Sequence, residues 1–241
     1  MRNRAAIQHR YACIPQEVLK LIACAAMLID HFGAAIVIHL SVPHMAEFYY
    51  ACRIIGRIAF PIYCFLLCEG MRHTRSPQKY ILRLAIGIPL AELPFDLLFW
   101  GGVTWEHQNV MVTLTLGAVM LLCMDKTEKE WLRLLLVIPF AILAEVFRCD
   151  YGGWGIATIA VFALIPGLTA QTVCLALICW LMGSPAVPVL GVRIPIELFA
   201  VLAMLPIALY SGRKRTASPT VQWGFYLFYP VHLLILWIIS L

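Results

Sequence analysis

Lys20 and His31 lie on one apolar stretch of the chain and have residue types that suit group-transfer chemistry. An imidazole titrates near neutral pH, so it can take a proton from an attacking nucleophile or carry the transferred group itself. In a helix, residues eleven apart fall within about 20° of one face and about 16 Å apart along the axis. The pair therefore suits a long anionic donor whose phosphates stay at the surface beside Lys20 while its reactive end reaches His31.

Further charged residues fall within apolar stretches, where an ion is costly unless it is paired or hydrated. Asp30 directly precedes the histidine, and Arg53 and Arg57 share one helix face at a spacing of four. We expect Asp30 to pair with one of these arginines and Arg57 to stabilise a developing oxyanion. Glu92 and Asp96 repeat the spacing of four, and one of them is expected to orient the imidazole. The alternative is that all these charges form structural ion pairs without chemistry.

Four other ionisable residues receive a structural interpretation from their positions. Glu69, Glu145 and Glu197 lie near the ends of apolar stretches, where a side chain can reach headgroups or water. His232 follows Pro230 in the last stretch and is interpreted as a polar tip at an interface.

The composition of the chain is that of an integral membrane protein. It has 241 residues, of which 62% are hydrophobic and 13% are charged, and its mean hydropathy is +0.87. At about 20 residues per helical span, about nine spans leave no room for a soluble catalytic domain. The sequence therefore predicts one all-α membrane domain over residues 1–241. The expected spans are 18–40, 53–70, 80–100, 109–124, 131–147, 154–168, 172–182, 194–210 and 222–241. The sixth and seventh are short and form either two crossings or one re-entrant hairpin. The proline-rich segment 184–191 between two spans is expected to be an extended loop.

The basic residues predict the orientation of these spans. With a cytoplasmic N-terminus and nine crossings, most basic clusters face the cytoplasm, in agreement with the positive-inside rule. The clusters placed there include Arg2, Arg4, Arg10, Lys20, Arg72, Arg75, Lys79, Arg83, Arg213, Lys214 and Arg215. We therefore expect a multi-pass protein of the bacterial inner membrane. The formal charge of +5 is interpreted as a topology signal, and no nucleic-acid partner is expected.

Several common functional motifs are missing from the sequence. It contains no P-loop, no GxGxxG, no GxSxG and no HExxH motif, so ATP-driven transport, dinucleotide redox chemistry, serine hydrolysis and zinc proteolysis lack support. One histidine beside one aspartate supplies too few ligands for a metal, and no metal is expected. The nine cysteines fall mostly within apolar stretches and are interpreted as small buried hydrophobic residues.

Several strings that contain the unusual polar residues resemble the TraX family, in order and over nearly the whole chain. They are MLIDHFG (27–33), RIIGRIAFPIYCFLLCEG (53–70), HTRSPQKYILRL (73–84), ELPFDLLF (92–99), NVMVTLTLG (109–117), DYGGWGI (150–156) and FYLFYPVHLLIL (225–236). The resemblance implies a membrane acetyltransferase, because the family is named for a protein that acetylates the N-terminal amine of F-type pilin. It also implies a more distant similarity to multi-span acyltransferases that use cytoplasmic acyl-CoA.

The resemblance implies acetyl-CoA as co-substrate and places its phosphates. The wider group carries a basic residue, ten intervening residues and a histidine, a spacing that Lys20 and His31 match. The basic residue is commonly arginine, so Lys20 replaces a bidentate fork with a point charge. The cluster Arg72, Arg75, Lys79 and Arg83 is expected to assist it. Asp30, His31, Arg53 and Arg57 are carried over as the polar core of the family.

Two roles for His31 stay open, as general base or as transient acetyl carrier. The implied acceptor is pilin or another envelope component with an amine or hydroxyl group, and the oligomeric state stays open. Two other functional classes remain as alternatives. A transporter or flippase would use the buried charges as a pathway, and a structural subunit would use them for assembly.

Overall fold

A computed structural model describes residues 13–40, 42, 45–189, 191–213 and 219–241. Five basic residues assigned above to the cytoplasm lie outside these ranges: Arg2, Arg4, Arg10, Lys214 and Arg215. The first helices are α1 (Gln16–Ala35), α2 (Met45–Gly56), α3 (Ala59–His73), α4 (Pro77–Trp100), α5 (Val110–Asp125), α6 (Glu130–Leu135) and α7 (Val137–Val146). They are followed by α8 (Gly152–Leu164), α9 (Leu168–Leu181), β1 (Ala186–Val189), β2 (Val192–Pro195), a 3₁₀ helix (Ile196–Ala203), α10 (Met204–Ala208) and α11 (Pro219–Ser240).

The described part of the chain is helical, as expected, apart from one small hairpin, but its helices differ in length. Three segments are long and apolar enough to cross a membrane: Gln16–His39, Met45–His73 and Trp223–Ser240. Four apolar helices are shorter, at 110–125, 152–164, 168–181 and 196–208. A helix of 13 residues, such as α8, rises only about 20 Å, less than the ~30 Å of a hydrocarbon core. These lengths confirm an all-α chain with three candidate membrane spans among the described residues, and they do not confirm a bundle of nine full spans.

The second long segment is broken in its middle, and a proline explains the break. Helix α2 ends at Gly56 and α3 begins at Ala59, with a turn at Arg57 and Ile58. Pro61 has no N–H to donate to the carbonyl of Arg57, four residues earlier, and its ring crowds that carbonyl. Arg53 and Arg57 therefore lie in the interior of this segment, not at the start of a span as the sequence suggested.

A proline also divides the fifth expected span, and the proline-rich segment forms a hairpin. Helices α6 and α7 are separated at Leu136, and Pro139 cannot donate to the carbonyl of Leu135. Strands β1 and β2 pair antiparallel, with Ala186 opposite Pro195. The segment expected to be an extended loop is therefore a β-hairpin, and the eighth span does not begin at Ile194 but is replaced by β2, the 3₁₀ helix and α10.

Close packing of α1 against α2 depends on small residues. Helix α1 packs on both α2 and α3, whereas α4 packs on α5 and α11. A Cβ atom on Gly33 would collide with Cys52, and a Cβ atom on Gly56 would overlap the side chain of Asp30. These glycines let the two backbones approach. All nine cysteines are free, and most of them are buried.

Replacement of Gly56 by alanine is expected to destabilise the protein by about 1–3 kcal/mol, because Asp30 must move out of its ion pairs to admit the methyl group. Gly224→Ala is the matched control, since no atom lies within 4 Å of its added Cβ atom and alanine is the better helix former. Thermal unfolding in detergent measures both variants. Equal unfolding temperatures would contradict the close approach at Gly56.

Candidate functional site

A cavity of about 830 Å³ runs between α1, the broken α2–α3 segment, α4 and α11. This volume falls in the upper part of the range of ligand sites, roughly 300–1,000 Å³. Residues of α1 line it from Gln16 to Ala34, which corresponds to about 27 Å along the helix axis. The cavity is therefore nearly as long as a hydrocarbon core is thick, about 30 Å, and both Lys20 and His31 line it.

His31 is hydrogen bonded to a second histidine. Its Nδ1 lies 2.8 Å from Nε2 of His232, and Nδ1 of His232 lies 2.8 Å from the carbonyl oxygen of Phe228. A carbonyl only accepts, so Nδ1 of His232 carries the proton and donates it. In the neutral pair, Nε2 of His232 is then the acceptor, and Nδ1 of His31 donates to it. The lone pair of His31 therefore lies on Nε2, the nitrogen that a general base uses.

The role of His232 is a correction to the sequence interpretation. It is not a polar tip at an interface, because it is 4% exposed and its ring lies parallel to that of His31, with 5.0 Å between centroids. The contact joins residues 201 positions apart, and no spacing rule in the sequence pairs them. The sequence drew attention to this helix through the string FYLFYPVHLLIL and through a histidine within an apolar stretch, but neither signal pairs His232 with His31.

The expected pairing of Asp30 with an arginine is confirmed for both arginines. Asp30 accepts from Arg53 at 2.7 Å and from Arg57 at 2.8 Å. Asp30 cannot also orient the neighbouring imidazole, since adjacent residues on a helix diverge by about 100°. Its carboxylate instead joins α1 to the break between α2 and α3.

Glu197 completes this cluster, and its sequence interpretation is wrong. It does not reach headgroups or water but accepts from Arg57 at 2.6 Å, and its side chain is only 13% exposed. Arg57 also donates through Nε to the carbonyl oxygen of Arg53 at 3.2 Å. The cluster of Asp30, Arg53, Arg57 and Glu197, here called the ion cluster, connects α1, α2 and the 3₁₀ helix.

Within the ion cluster, Arg53 has more donors available for a ligand than Arg57. Arg57 uses Nε and both terminal nitrogens in the contacts above, and its side chain is 6% exposed. Arg53 makes one described side-chain hydrogen bond, through NH1, and it also lines the cavity. The geometry therefore favours Arg53 over Arg57 for contact with a developing oxyanion.

Glu92 and Asp96 do not hold the imidazole, which corrects the expectation from sequence. Glu92 accepts from the side-chain amide of Asn109, and Asp96 accepts from the backbone N–H of Thr104 at 3.0 Å. The face of α4 that reaches His31 is aromatic, with the Phe99 ring 5.4 Å from the imidazole. Both carboxylates instead bind residues of the loop between α4 and α5, Glu92 at Asn109 and Asp96 at Thr104.

The basic end of the cavity contains part of the expected phosphate-binding set. Lys20 and Arg83 line the cavity, and the Nζ atom of Lys20 lies 5.1 Å from the ring centre of Phe225. Arg72 instead donates to Glu69 at 3.0 Å and to the carbonyl oxygen of Phe162 at 2.8 Å. The other two members, Arg75 and Lys79, are exposed and do not line the cavity. Of the four residues of the expected cluster, only Arg83 therefore lines the cavity.

Asp150 and Tyr151 also line the cavity, and sequence reasoning assigned neither a role. Tyr151 has φ of 65° and Arg148 has φ of 51°, a left-handed conformation that bulky residues rarely adopt. The Tyr151 ring stacks on Phe60 with 3.8 Å between centroids. The string DYGGWGI was the sequence signal here, and its first residue is this partly buried acid.

Burial raises the pKa of Asp150 to about 6, and the nearby positive charge of Arg57 opposes this rise. Among the residues that the structure describes, no group of three or more histidine, cysteine or acidic side chains could hold a metal ion.

Comparison with known proteins places the chain in a family. A family model described as "TraX protein" matches residues 15–240. The chain is similar to a probable fimbrial assembly protein FimC, serogroup H1, of Dichelobacter nodosus, at 29% identity over 90% of this chain and 92% of that protein. No solved structure matches the chain. Because the family match covers nearly its whole length, and the resemblance of its polar strings is thereby confirmed, the chain belongs to the TraX family.

Proposed function

We propose that this protein is a membrane-embedded acetyltransferase that moves an acetyl group from cytoplasmic acetyl-CoA to an amine of a pilin subunit or another envelope component. The observation that carries the proposal is the His31–His232 pair on the wall of a cavity with Lys20 and Arg83 at one end. The pair leaves Nε2 of His31 as the basic nitrogen. The cations suit the phosphates of a nucleotide-headed donor.

The reaction follows from this geometry. The amine nitrogen attacks the thioester carbonyl carbon, a C–N bond forms, and the C–S bond breaks after the tetrahedral intermediate collapses. His31 takes the proton from the nitrogen and returns it to the departing thiolate sulfur, so no oxidant or metal is required. His232 stabilises the charged imidazole by accepting from its Nδ1. Arg53, which lines the cavity and uses only NH1 in its ion pair, is the proposed donor for the oxyanion.

The proposed acceptor rests on the family and on the name of the relative. The relative from Dichelobacter nodosus is described as a probable fimbrial assembly protein, and the TraX resemblance implies pilin acetylation. Both point to a pilin-related role for this chain.

The proposed location is a bilayer of the bacterial inner membrane. On α9, Val173, Leu177 and Trp180 form an outward stripe, and each is more than half exposed. Such a stripe is unfavourable in water and favourable against lipid tails. The stripe therefore supports the proposal that α9 lies against lipid, although α9 is too short to cross a bilayer by itself.

Removal of the imidazole tests the catalytic assignment. We expect His31→Ala to lower transfer from acetyl-CoA to a peptide with a free N-terminal amine by roughly 10²- to 10⁴-fold, because the general base is lost. Purified protein in detergent and release of the CoA thiol give the rate. His39→Ala, which removes an exposed histidine beyond the end of α1, is the control. Wild-type turnover in His31→Ala would refute the base assignment.

Variants of His232 test the hydrogen bond between the histidines. We expect His232→Phe to lower kcat by about 10- to 100-fold, because Nδ1 of His31 loses its acceptor and the imidazolium loses its stabilising partner. His232→Gln keeps an acceptor and should lose less activity. If the two variants are equally active, the orientation of His31 does not depend on this hydrogen bond.

Lys20 is tested through the affinity for acetyl-CoA. We expect Lys20→Gln to raise the KM for acetyl-CoA by about tenfold with little change in kcat, since a phosphate contact contributes uniform binding. Lys126→Gln, an exposed lysine after α5, is the control. A change in kcat alone would assign Lys20 to the chemical step instead.

A transporter or flippase is the second candidate, supported by the break at Arg57 within a long apolar segment. The thioester assay separates the two, because transport cannot be scored in detergent whereas group transfer can. A structural subunit would tolerate both His31→Ala and Lys20→Gln.

A further inference from the structure

The wall of the cavity around the ion cluster carries more negative than positive charge. Arg53 and Arg57 balance the carboxylates of Asp30 and Glu197 through the ion pairs described above. Asp150 lines the same cavity and is close enough to Arg57 for their charges to interact. Among the described residues, two guanidinium groups thus face three carboxylates, and one negative charge is left without a cation.

Asp150 is the carboxylate without a hydrogen-bonded cation of its own. Arg57 directs its side-chain donors to Asp30, Glu197 and the carbonyl oxygen of Arg53. No described side chain forms a salt bridge with Asp150. A carboxylate that is partly removed from water in this condition is unfavourable unless a ligand compensates its charge.

Hydrogen bonds on both sides hold the backbone of Asp150 in place. The N–H of Asp150 donates to the carbonyl oxygen of Gln108 at 2.9 Å, and its carbonyl oxygen accepts from the hydroxyl of Thr113. The N–H of Gly155 donates to the carbonyl oxygen of Tyr151 at 2.9 Å. The left-handed backbone of Tyr151 is energetically unfavourable and persists only because surrounding contacts hold it. Backbone strain of this kind concentrates at functional sites.

We propose that Asp150 binds the protonated primary amine of the acceptor in the cavity and so selects an amine over a hydroxyl. This inference rests on the proposed function for its role in transfer, although the ammonium site itself does not. An alkylammonium supplies the missing positive charge and three N–H donors. A neutral hydroxyl supplies no charge and leaves the carboxylate uncompensated.

The site also fits the order of events in transfer. The ammonium bound at Asp150 releases one proton to water through the cavity and becomes a neutral amine. That amine attacks the thioester, and its second proton passes through His31 to the thiolate sulfur. Asp150 forms no covalent bond and is the specificity-determining residue for the acceptor. Lys20 lies about 15 Å along α1 from Asp30, so donor phosphates and acceptor amine occupy different parts of the cavity.

Binding of a simple ammonium ion tests the site directly. The probe is n-butylammonium chloride, with n-butanol as the neutral match, and the readout is the unfolding temperature of the full chain in detergent. We expect the ammonium, but not the alcohol, to stabilise the wild-type protein. The apparent affinity should fall at least about tenfold in Asp150→Asn and recover in Asp150→Glu. Glu106→Gln removes an exposed charge outside the cavity and should bind the ammonium as the wild type does.

The wild-type protein gives a second readout if Asp150→Asn folds poorly. The groups that face Asp150 electrostatically are Arg57 of α2–α3, Asp30 of α1, Glu197 of the 3₁₀ helix and the N–H of Tyr151. With the pKa of Asp150 at about 6, the carboxylate is charged above that pH and neutral below it. Ammonium affinity should therefore be high at pH 8 and fall as the pH drops through 6, while n-butylammonium keeps its charge.

The pKa of Asp150 also predicts how the stability of the ligand-free protein depends on pH. An aspartate whose folded pKa lies above its unfolded value of about 3.9 destabilises the fold at pH values above both. Asp150→Asn should therefore unfold at a higher temperature than wild type at pH 8. The difference should shrink as the pH falls below 6 and vanish below the unfolded pKa of about 3.9.

The outcomes separate this inference from the proposed function. Equal ammonium affinity in wild type and Asp150→Asn, or affinity unchanged between pH 8 and pH 5, overturns the site even where acetyl-CoA turnover is observed. Ammonium binding that depends on Asp150, in a protein that never consumes acetyl-CoA, supports the site and contradicts the acetyltransferase. Turnover in which Asp150→Asn raises the KM for the amine and leaves the KM for acetyl-CoA unchanged supports both.

Discussion

The ion cluster is the interaction on which the rest of this structure depends. Four charged side chains lie between apolar helices, and each charge is matched by a partner within 3 Å. Taking such ions out of water costs several kcal/mol each, and removal of one partner typically costs about 3–5 kcal/mol. The cluster therefore constrains three separate elements to one arrangement: α1, the break between α2 and α3, and the 3₁₀ helix.

This constraint produces the cavity. Pro61 interrupts the helix at Arg57, so the arginine turns into the interior, and Gly56 lets α1 approach closely enough for Asp30 to reach it. The side of α1 next to Asp30 then faces α4 and α11 across open space, and His31 lies there against His232. One break in an apolar segment thus places guanidinium donors on the wall of the cavity that His31 and Lys20 also line.

Much of the site chemistry was evident in the sequence, because charge within apolar stretches is costly and therefore conspicuous. Asp30, His31, Arg53, Arg57 and Lys20 were all identified as polar outliers, and all five line the cavity. The helical period placed Lys20 and His31 on one face, and α1 spans both. The pairing of Asp30 with an arginine was also predicted from charge. The sequence did not predict that Asp30 binds both arginines.

Contacts between residues distant in the chain could not be predicted from the sequence, since helical spacing relates only residues on the same helix. Glu92 and Asp96 were expected to hold the imidazole, yet the α4 ring beside it is that of Phe99, and both acids bind the loop that follows α4. His232, Glu197 and Asp150 acquire their roles only where α11, the 3₁₀ helix and the strained turn before α8 meet the cavity. The sequence by itself determined the chemistry of each residue and which residues share a helix face. Only the tertiary structure decided which faces meet, because the rotation of a helix about its axis depends on its packing against all of its neighbours at once.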